Sequence, residues 1–79
     1  MFKEVKVPKW GLTIERVLIT DWLKSVGDRV EVGDVLCEVE TEKSNAEVEA
    51  PVDGIVSEIR AEVGTECPVG SVLCVIEQS

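Results

Sequence analysis

One segment of this chain occurs twice, and that repeat restricts the fold more than any other feature. Displaced by 37 positions, Val26–Glu40 lies over Val63–Glu77, and eight of the fifteen pairs are identical, where chance gives roughly one. Gly27 and Gly33 fall on Gly64 and Gly70, and Val35-Leu36-Cys37 falls on Val72-Leu73-Cys74. A chain of 79 residues buries only about 60% of the surface it exposes unfolded. Neither half can cover its own apolar face, so two similar halves should pack together about a pseudo-twofold axis. The first copy continues past Glu40 into Thr41-Glu42-Lys43-Ser44-Asn45, whereas the second ends just after Glu77.

Alternation of apolar and polar residues runs through both copies, which is the period of half-buried strands. Phe2, Val5 and Val7 mark a first short strand, and Arg16 to Lys24 a longer one. Gly27-Asp28 and Gly33-Asp34 mark turns. Val35, Cys37 and Val39 share a face opposite Glu38 and Glu40, with Leu36 breaking the pattern; Glu47-Val48-Glu49-Ala50 returns with the same alternation. Pro51-Val52-Asp53-Gly54 reads as a turn in which proline presets φ and glycine accepts a positive φ. Ile55 to Ile59 follows, aligned with Leu18 to Trp22, so Trp22 is expected in the core opposite Ile59. No stretch carries a helical period with caps. The reading is all-β: eight short strands in a flattened barrel or sandwich of two four-stranded antiparallel sheets, with residues 1–79 as a single domain.

Composition excludes several functions. There is no histidine and no tyrosine, which removes the commonest general base and the commonest zinc ligand. No catalytic residue and no metal ligand set is assigned. The net charge of −8 repels nucleic acid and anionic membranes and steers toward a partner with a basic face, besides keeping the domain soluble. The longest apolar run, Val72–Ile76, is far short of the roughly 20 residues that span a bilayer. Met1-Phe2-Lys3-Glu4 opens no signal-peptide pattern. The three cysteines form no C-x-x-C pair; Cys37 and Cys74 are equivalent strand positions, and Cys67 falls on Val30. They are expected in the core as small apolar residues, and unpaired thiols point to a reducing compartment, a bacterial cytoplasm, with a mature matrix protein as the alternative.

Lys43 then stands out. Glu42-Lys43 fits the two central positions of a tight turn between Val39-Glu40 and Ala46-Glu47-Val48, with Thr41, Glu42, Ser44 and Asn45 all polar. A Schiff-base lysine needs desolvation or a neighbouring cation; this one has carboxylates nearby and water around it. It is better suited to being the substrate of another enzyme than to being a nucleophile. A twofold pairing places it at one end of the barrel and the chain ends at the other, where a linker could attach.

The run Glu40-Thr41-Glu42-Lys43-Ser44-Asn45-Ala46-Glu47-Val48-Glu49-Ala50-Pro51-Val52-Asp53-Gly54 resembles the attachment motif of the biotinyl/lipoyl carrier domains, specifically lipoyl domains of dihydrolipoamide acyltransferases. There an acidic residue and lysine hold the hairpin tip, and the return strand leads to Ala-Pro-x-x-Gly. Val26-Gly27-Asp28-x-Val30-x-x-Gly33-Asp34-x-Leu36 matches the segment before it, and Pro8-Lys9-Trp10-Gly11-Leu12 resembles the first surface loop. The commonest tip is Asp-Lys-Ala; this chain has Glu42-Lys43-Ser44. The resemblance implies that a lipoyl ligase or transferase, recognising Glu42 and Ser44, joins lipoic acid to Lys43. It also implies a swinging arm that serves a thiamine-diphosphate decarboxylase, an acyltransferase core and dihydrolipoamide dehydrogenase, in a pyruvate- or acetoin-type complex. The parent chain is then expected to be a longer acyltransferase.

The same resemblance places the Trp10-Gly11-Leu12 loop near the lysine turn, in recognition of the decarboxylase. An exposed indole is a typical partner anchor; the alternative is that Trp10 folds back over the barrel end. Two rivals to the lipoyl reading stay open. One is a biotin carrier on the same fold, whose tip usually reads Met-Lys-Met. The other is an unmodified barrel acting as an interaction module. An independent enzyme is disfavoured by the missing histidine and the thin core.

Overall fold

The described residues form eight short strands, the number expected. In chain order they are β1 (Phe2–Lys6), β2 (Arg16–Trp22), β3 (Arg29–Val30), β4 (Val35–Glu40), β5 (Asn45–Glu49), β6 (Gly54–Ile59), β7 (Glu66–Pro68) and β8 (Val72–Gln78). The alternating segments read from the sequence fall on β1, β2, β4, β5 and β6. The computed structural model describes residues 1–8 and 15–78. Two antiparallel four-stranded sheets result, ordered β1-β8-β6-β3 and β5-β4-β2-β7. One order maps onto the other when β1, β8, β6 and β3 are exchanged for β5, β4, β2 and β7. This is the pseudo-twofold arrangement expected from the repeat.

Hydrogen bonds obey the same symmetry. Gly27 N–H donates to Val56 O at 2.7 Å and Gly64 N–H to Ile19 O at 2.8 Å; Leu23 N–H donates to Leu36 O at 2.9 Å and Arg60 N–H to Leu73 O at 2.8 Å. Gly27 and Gly64 hold φ near +96° and +90°, a region that disfavours any side chain, so the repeat keeps glycine in both copies. The inward faces build one core in which Val30, Leu36, Cys37, Val39, Val56, Leu73, Cys74 and Ile76 are fully buried. Each buried Val, Leu or Ile contributes about 1.5–3 kcal/mol, and the two sheets supply these residues to each other.

Extra residues interrupt the ladders at equivalent places. Between β2 and β4 the register jumps over Thr20, and between β6 and β8 over Ser57. The Thr20 hydroxyl donates to Glu38 O and the Ser57 hydroxyl to Val75 O, both at 3.1 Å. Leu36 and Leu73 are the extra residues opposite β5 and β1. A bulge turns two successive side chains toward one region, so Leu36 and Cys37 are both buried. The irregular Leu36 in the alternation is therefore a bulge residue.

Two expectations need correction. Gly54 has no positive φ; among the described residues the glycines that do are Gly27, Gly33, Gly64 and Gly70. Gly54 opens β6, where a Cβ would run into the carbonyl oxygen of Glu77 and lie 2.8 Å from Ile76 Cγ2. Its place is set by close approach of two strands. Trp22 is half-buried at the core margin, packed there like its counterpart Ile59, because its indole N–H reaches out to donate to Ala61 O at 2.6 Å.

Candidate functional site

β4 and β5 leave the core as a hairpin, paired up to Glu40 opposite Asn45. Beyond that pair, Thr41 N–H donates to Ser44 O at 2.9 Å. Glu42 and Lys43 occupy the two central positions, as the spacing predicts. The Thr41 hydroxyl donates to Ser44 O at 2.6 Å and accepts from Lys43 N–H at 3.3 Å and Ser44 N–H at 3.1 Å. Glu42, Lys43 and Ser44 are exposed, while Thr41 is half-buried beneath them. The three predicted tip residues thus sit together on a hydrogen-bonded turn. Thr41, named in the sequence only as a polar neighbour, is what ties it. A threonine at the first position of a four-residue polar turn is itself a signal for such bonding.

The described residues form ion pairs between Arg16 and Glu66 at 2.8 Å, Arg60 and Glu58 at 2.7 Å, and Arg60 and Glu4 at 3.6 Å. Among them, no carboxylate comes within ion-pair reach of the Lys43 ammonium, and Glu40 and Glu47 stay exposed in solvent. Arg16 and Glu66 border a shallow open groove beside the tip, shared with Leu18, Thr41 and Glu42. The hydrogen bond to Glu66 raises the Arg16 pKa; the pair is solvent-exposed, so it adds little stability.

The ends of the chain meet away from this turn. Gln78 N–H donates to Met1 O at 2.8 Å, and Gln78 pairs with Gly54, which β5 reaches only after running the length of its sheet from the tip. The molecule measures 35 × 21 × 18 Å. Lys43 therefore projects from one end and the termini lie toward the other. Trp10, Gly11 and Leu12, read as the partner-recognition loop, lie outside the described residues.

The cysteines Cys37, Cys67 and Cys74 are free and buried. Burial pushes the Cys37 thiol up to about 12, with Cys74 and Cys67 adding to the effect, and the Cys74 thiol up to about 11; burial also raises Cys67. Thiols held protonated in a packed core are poor nucleophiles. Among the described residues, no three His, Cys, Asp or Glu side chains converge as a metal site needs. What the tip offers is an exposed primary amine on a turn tied by hydrogen bonds.

Comparison with known proteins gives this geometry a context. A family model described as "Biotin-requiring enzyme", covering biotin and lipoyl attachment, matches residues 3–76. The dihydrolipoyllysine-residue acetyltransferase component of the Corynebacterium glutamicum pyruvate dehydrogenase complex is 44% identical over 72 residues, covering 91% of this chain and 11% of that protein. The corresponding component of the Pseudomonas putida acetoin cleaving system is 39% identical over 70 residues, covering 89% of this chain and 19% of that protein. The chain thus spans between about a tenth and a fifth of the length of these curated relatives. Among solved structures, the lipoyl domain of the Azotobacter vinelandii 2-oxoglutarate dehydrogenase complex superimposes with a TM-score of 0.75 at 27% identity, covering 96% of this chain and 98% of that one. Kluyveromyces lactis urea carboxylase gives a TM-score of 0.83 at 23% identity over 98% of this chain and 6% of that one, a likeness of fold.

Proposed function

Because this chain belongs to the biotin/lipoyl attachment family and is a lipoyl carrier domain, we propose that Lys43 is the residue that carries its lipoic acid. The observation behind this reading is the single exposed amine at the tip of a tied turn, held away from the meeting point of the chain ends. The tip fits such a group: the amine is open to an incoming carboxyl, and no ion pair with a described residue has to be broken first. Amide formation there removes the ammonium charge, as acetylation does. When attached, lipoic acid supplies a dithiolane that carries acyl groups and reducing equivalents.

The domain itself has no catalytic part. Its residues do two things. The β4–β5 hairpin keeps Lys43 pointing outward, and the duplicated core keeps that hairpin rigid. Tethering then turns each meeting with a partner site into a near-intramolecular event, at effective concentrations up to about millimolar. The proposed partners are a lipoyl ligase or transferase, a thiamine-diphosphate decarboxylase, an acyltransferase core and dihydrolipoamide dehydrogenase. The kinship with pyruvate and acetoin acyltransferase components supports a complex of one of those types. Coverage of a small part of those relatives supports a place as one domain of a longer acyltransferase chain. Three free thiols favour residence in a reducing compartment such as a bacterial cytoplasm.

Co-expression with a lipoyl ligase and lipoic acid, followed by intact mass measurement, tests the assignment. One lipoyl adduct is expected, and it disappears in Lys43→Gln. An adduct of biotin, or none under either condition, would replace this reading with the biotin carrier or the interaction module.

A further inference from the structure

We propose that Thr41 is a positioning residue for the modification of Lys43, acting through the backbone of the turn; this rests on Lys43 being the attachment residue. A hydroxyl has one proton to donate and two lone pairs to accept with. Thr41 uses all three inside the tip, on Ser44 O at 2.6 Å, Ser44 N–H at 3.1 Å and Lys43 N–H at 3.3 Å. The last of these fixes the backbone of the lysine itself.

The turn needs this tie for a conformational reason. Two-residue hairpins match strand twist best with positive φ at one or both central residues, which favours glycine and asparagine. Among the described residues no non-glycine residue has positive φ, so Glu42 and Lys43 make the turn without that geometry. The Thr41 hydroxyl takes up the Ser44 amide instead. The other half of the molecule serves as an internal control. There Gln78 stands at the position equivalent to Thr41, and Met1 at that of Ser44. Their backbone bond matches, at 2.8 Å against 2.9 Å, but neither Gln78 nor Met1 carries a hydroxyl to add the side-chain ties that Thr41 makes. The hydroxyl stands in the copy that has to hold an amine in one place. Its half-buried side chain anchors the exposed tip to the end of β4.

The test compares Thr41→Val, which keeps the shape and loses the hydroxyl, with Thr41→Ser, which keeps the hydroxyl. With purified lipoate ligase, kcat/KM for Thr41→Val should fall about tenfold, on the scale of a local hydrogen bond, and Thr41→Ser should restore it to within about twofold. Non-enzymatic acetylation of Lys43 by an N-hydroxysuccinimide ester should proceed equally in all three, since exposure is unchanged. Amide hydrogen exchange at Ser44 should quicken in Thr41→Val alone. Wild-type ligation rates in Thr41→Val, or a Thr41→Ser variant as slow as Thr41→Val, would overturn the proposal. Should Thr41→Val not fold, the wild-type Ser44 amide decides: protection supports the tie, and exchange at the rate of a free peptide overturns it. A wild-type chain that the ligase leaves unmodified defeats the attachment reading itself, which is a separate and visible result.

Discussion

At Gly54 a hydrogen atom in place of a methyl group decides whether two strands can approach. A Cβ there would meet the backbone of Glu77 and the side chain of Ile76, whereas one on Gly27 would meet nothing within 4 Å. The two glycines thus exist for different reasons, one spatial and one conformational. Gly54→Ala should destabilise the domain by about 2–3 kcal/mol, because a backbone carbonyl cannot step aside as a flexible side chain can. Gly27→Ala should cost about 1 kcal/mol, the strain of a positive φ alone. Urea unfolding of both variants measures the difference, and a reversed order would refute the assignment. Sequence alone misleads at Gly54, since Pro-Val-Asp-Gly is turn chemistry. The repeat held the better clue: Gly54 falls on Val17, a strand residue. Lys43 is legible by contrast, because polar neighbours and a symmetric register both place it at a tip. Thr41 is less so, because its role depends on three hydrogen bonds that composition does not reveal.

β4 and β8 are equivalent inner strands of the two sheets, and each carries its Leu-Cys pair into the core. Strand existence follows from the alternation, and the twofold relation of the two sheets from the repeat at 37 positions. The equivalence of β1 and β5 is harder to see, because Lys6 to Val17 is six positions longer than the equivalent Glu49 to Gly54, which changes the offset from 37 to 43, and there only Glu4, Val5 and Pro8 fall on identical residues, Glu47, Val48 and Pro51. The bulges are hidden for another reason: an apolar residue out of phase, such as Leu36, is compatible with either face until the partner strand is known. Their consequence is chemical. Cys37 and Cys74 are brought fully inside, with thiols raised to about 12 and about 11 from an ordinary value of 9.0. An acid whose folded pKa is raised binds its proton more tightly in the native state. That contribution is complete below pH 9, and it is lost as pH rises toward the folded values. By pH 10.5 the Cys37 thiol alone should have removed about 2 kcal/mol. Thermal unfolding between pH 8 and pH 11 should show this decline, and a Cys37→Ala/Cys74→Ala variant, less stable at pH 8, should show a much shallower one. An equal slope in both proteins would place the alkaline sensitivity elsewhere.

Across the whole molecule, a duplicated backbone carries unduplicated charge. The strands of the sheet that bears the lysine turn hold Asp21, Glu38, Glu40, Glu47, Glu49 and Glu66 against one cation, Arg16, which is itself paired to Glu66. The strands of the other sheet hold Glu4, Glu58 and Glu77 against Lys3, Lys6 and Arg29. Equivalent positions have diverged in sign: Lys6 corresponds to Glu49, and Arg29 to Glu66. Packing cannot be the cause, since these side chains face solvent in both copies. The strands of the sheet next to Lys43 therefore carry a net −5, against zero on the other sheet, a field that would orient encounters with any partner presenting a basic surface. If the domain carries acyl groups, the rate at which its decarboxylase acylates the lipoylated form should fall steeply with salt, because the Debye length shrinks below about 10 Å once ionic strength passes about 0.1 M. Neutralising Glu47 and Glu49 to glutamine should lower that rate several-fold at low salt and hardly at all at high salt. The same change at Glu4 and Glu58 removes equal charge from the balanced sheet and should leave the rate nearly untouched. Equal losses from the two pairs would mean that net charge alone matters, and that the divergence between the faces has no part in guiding the partner.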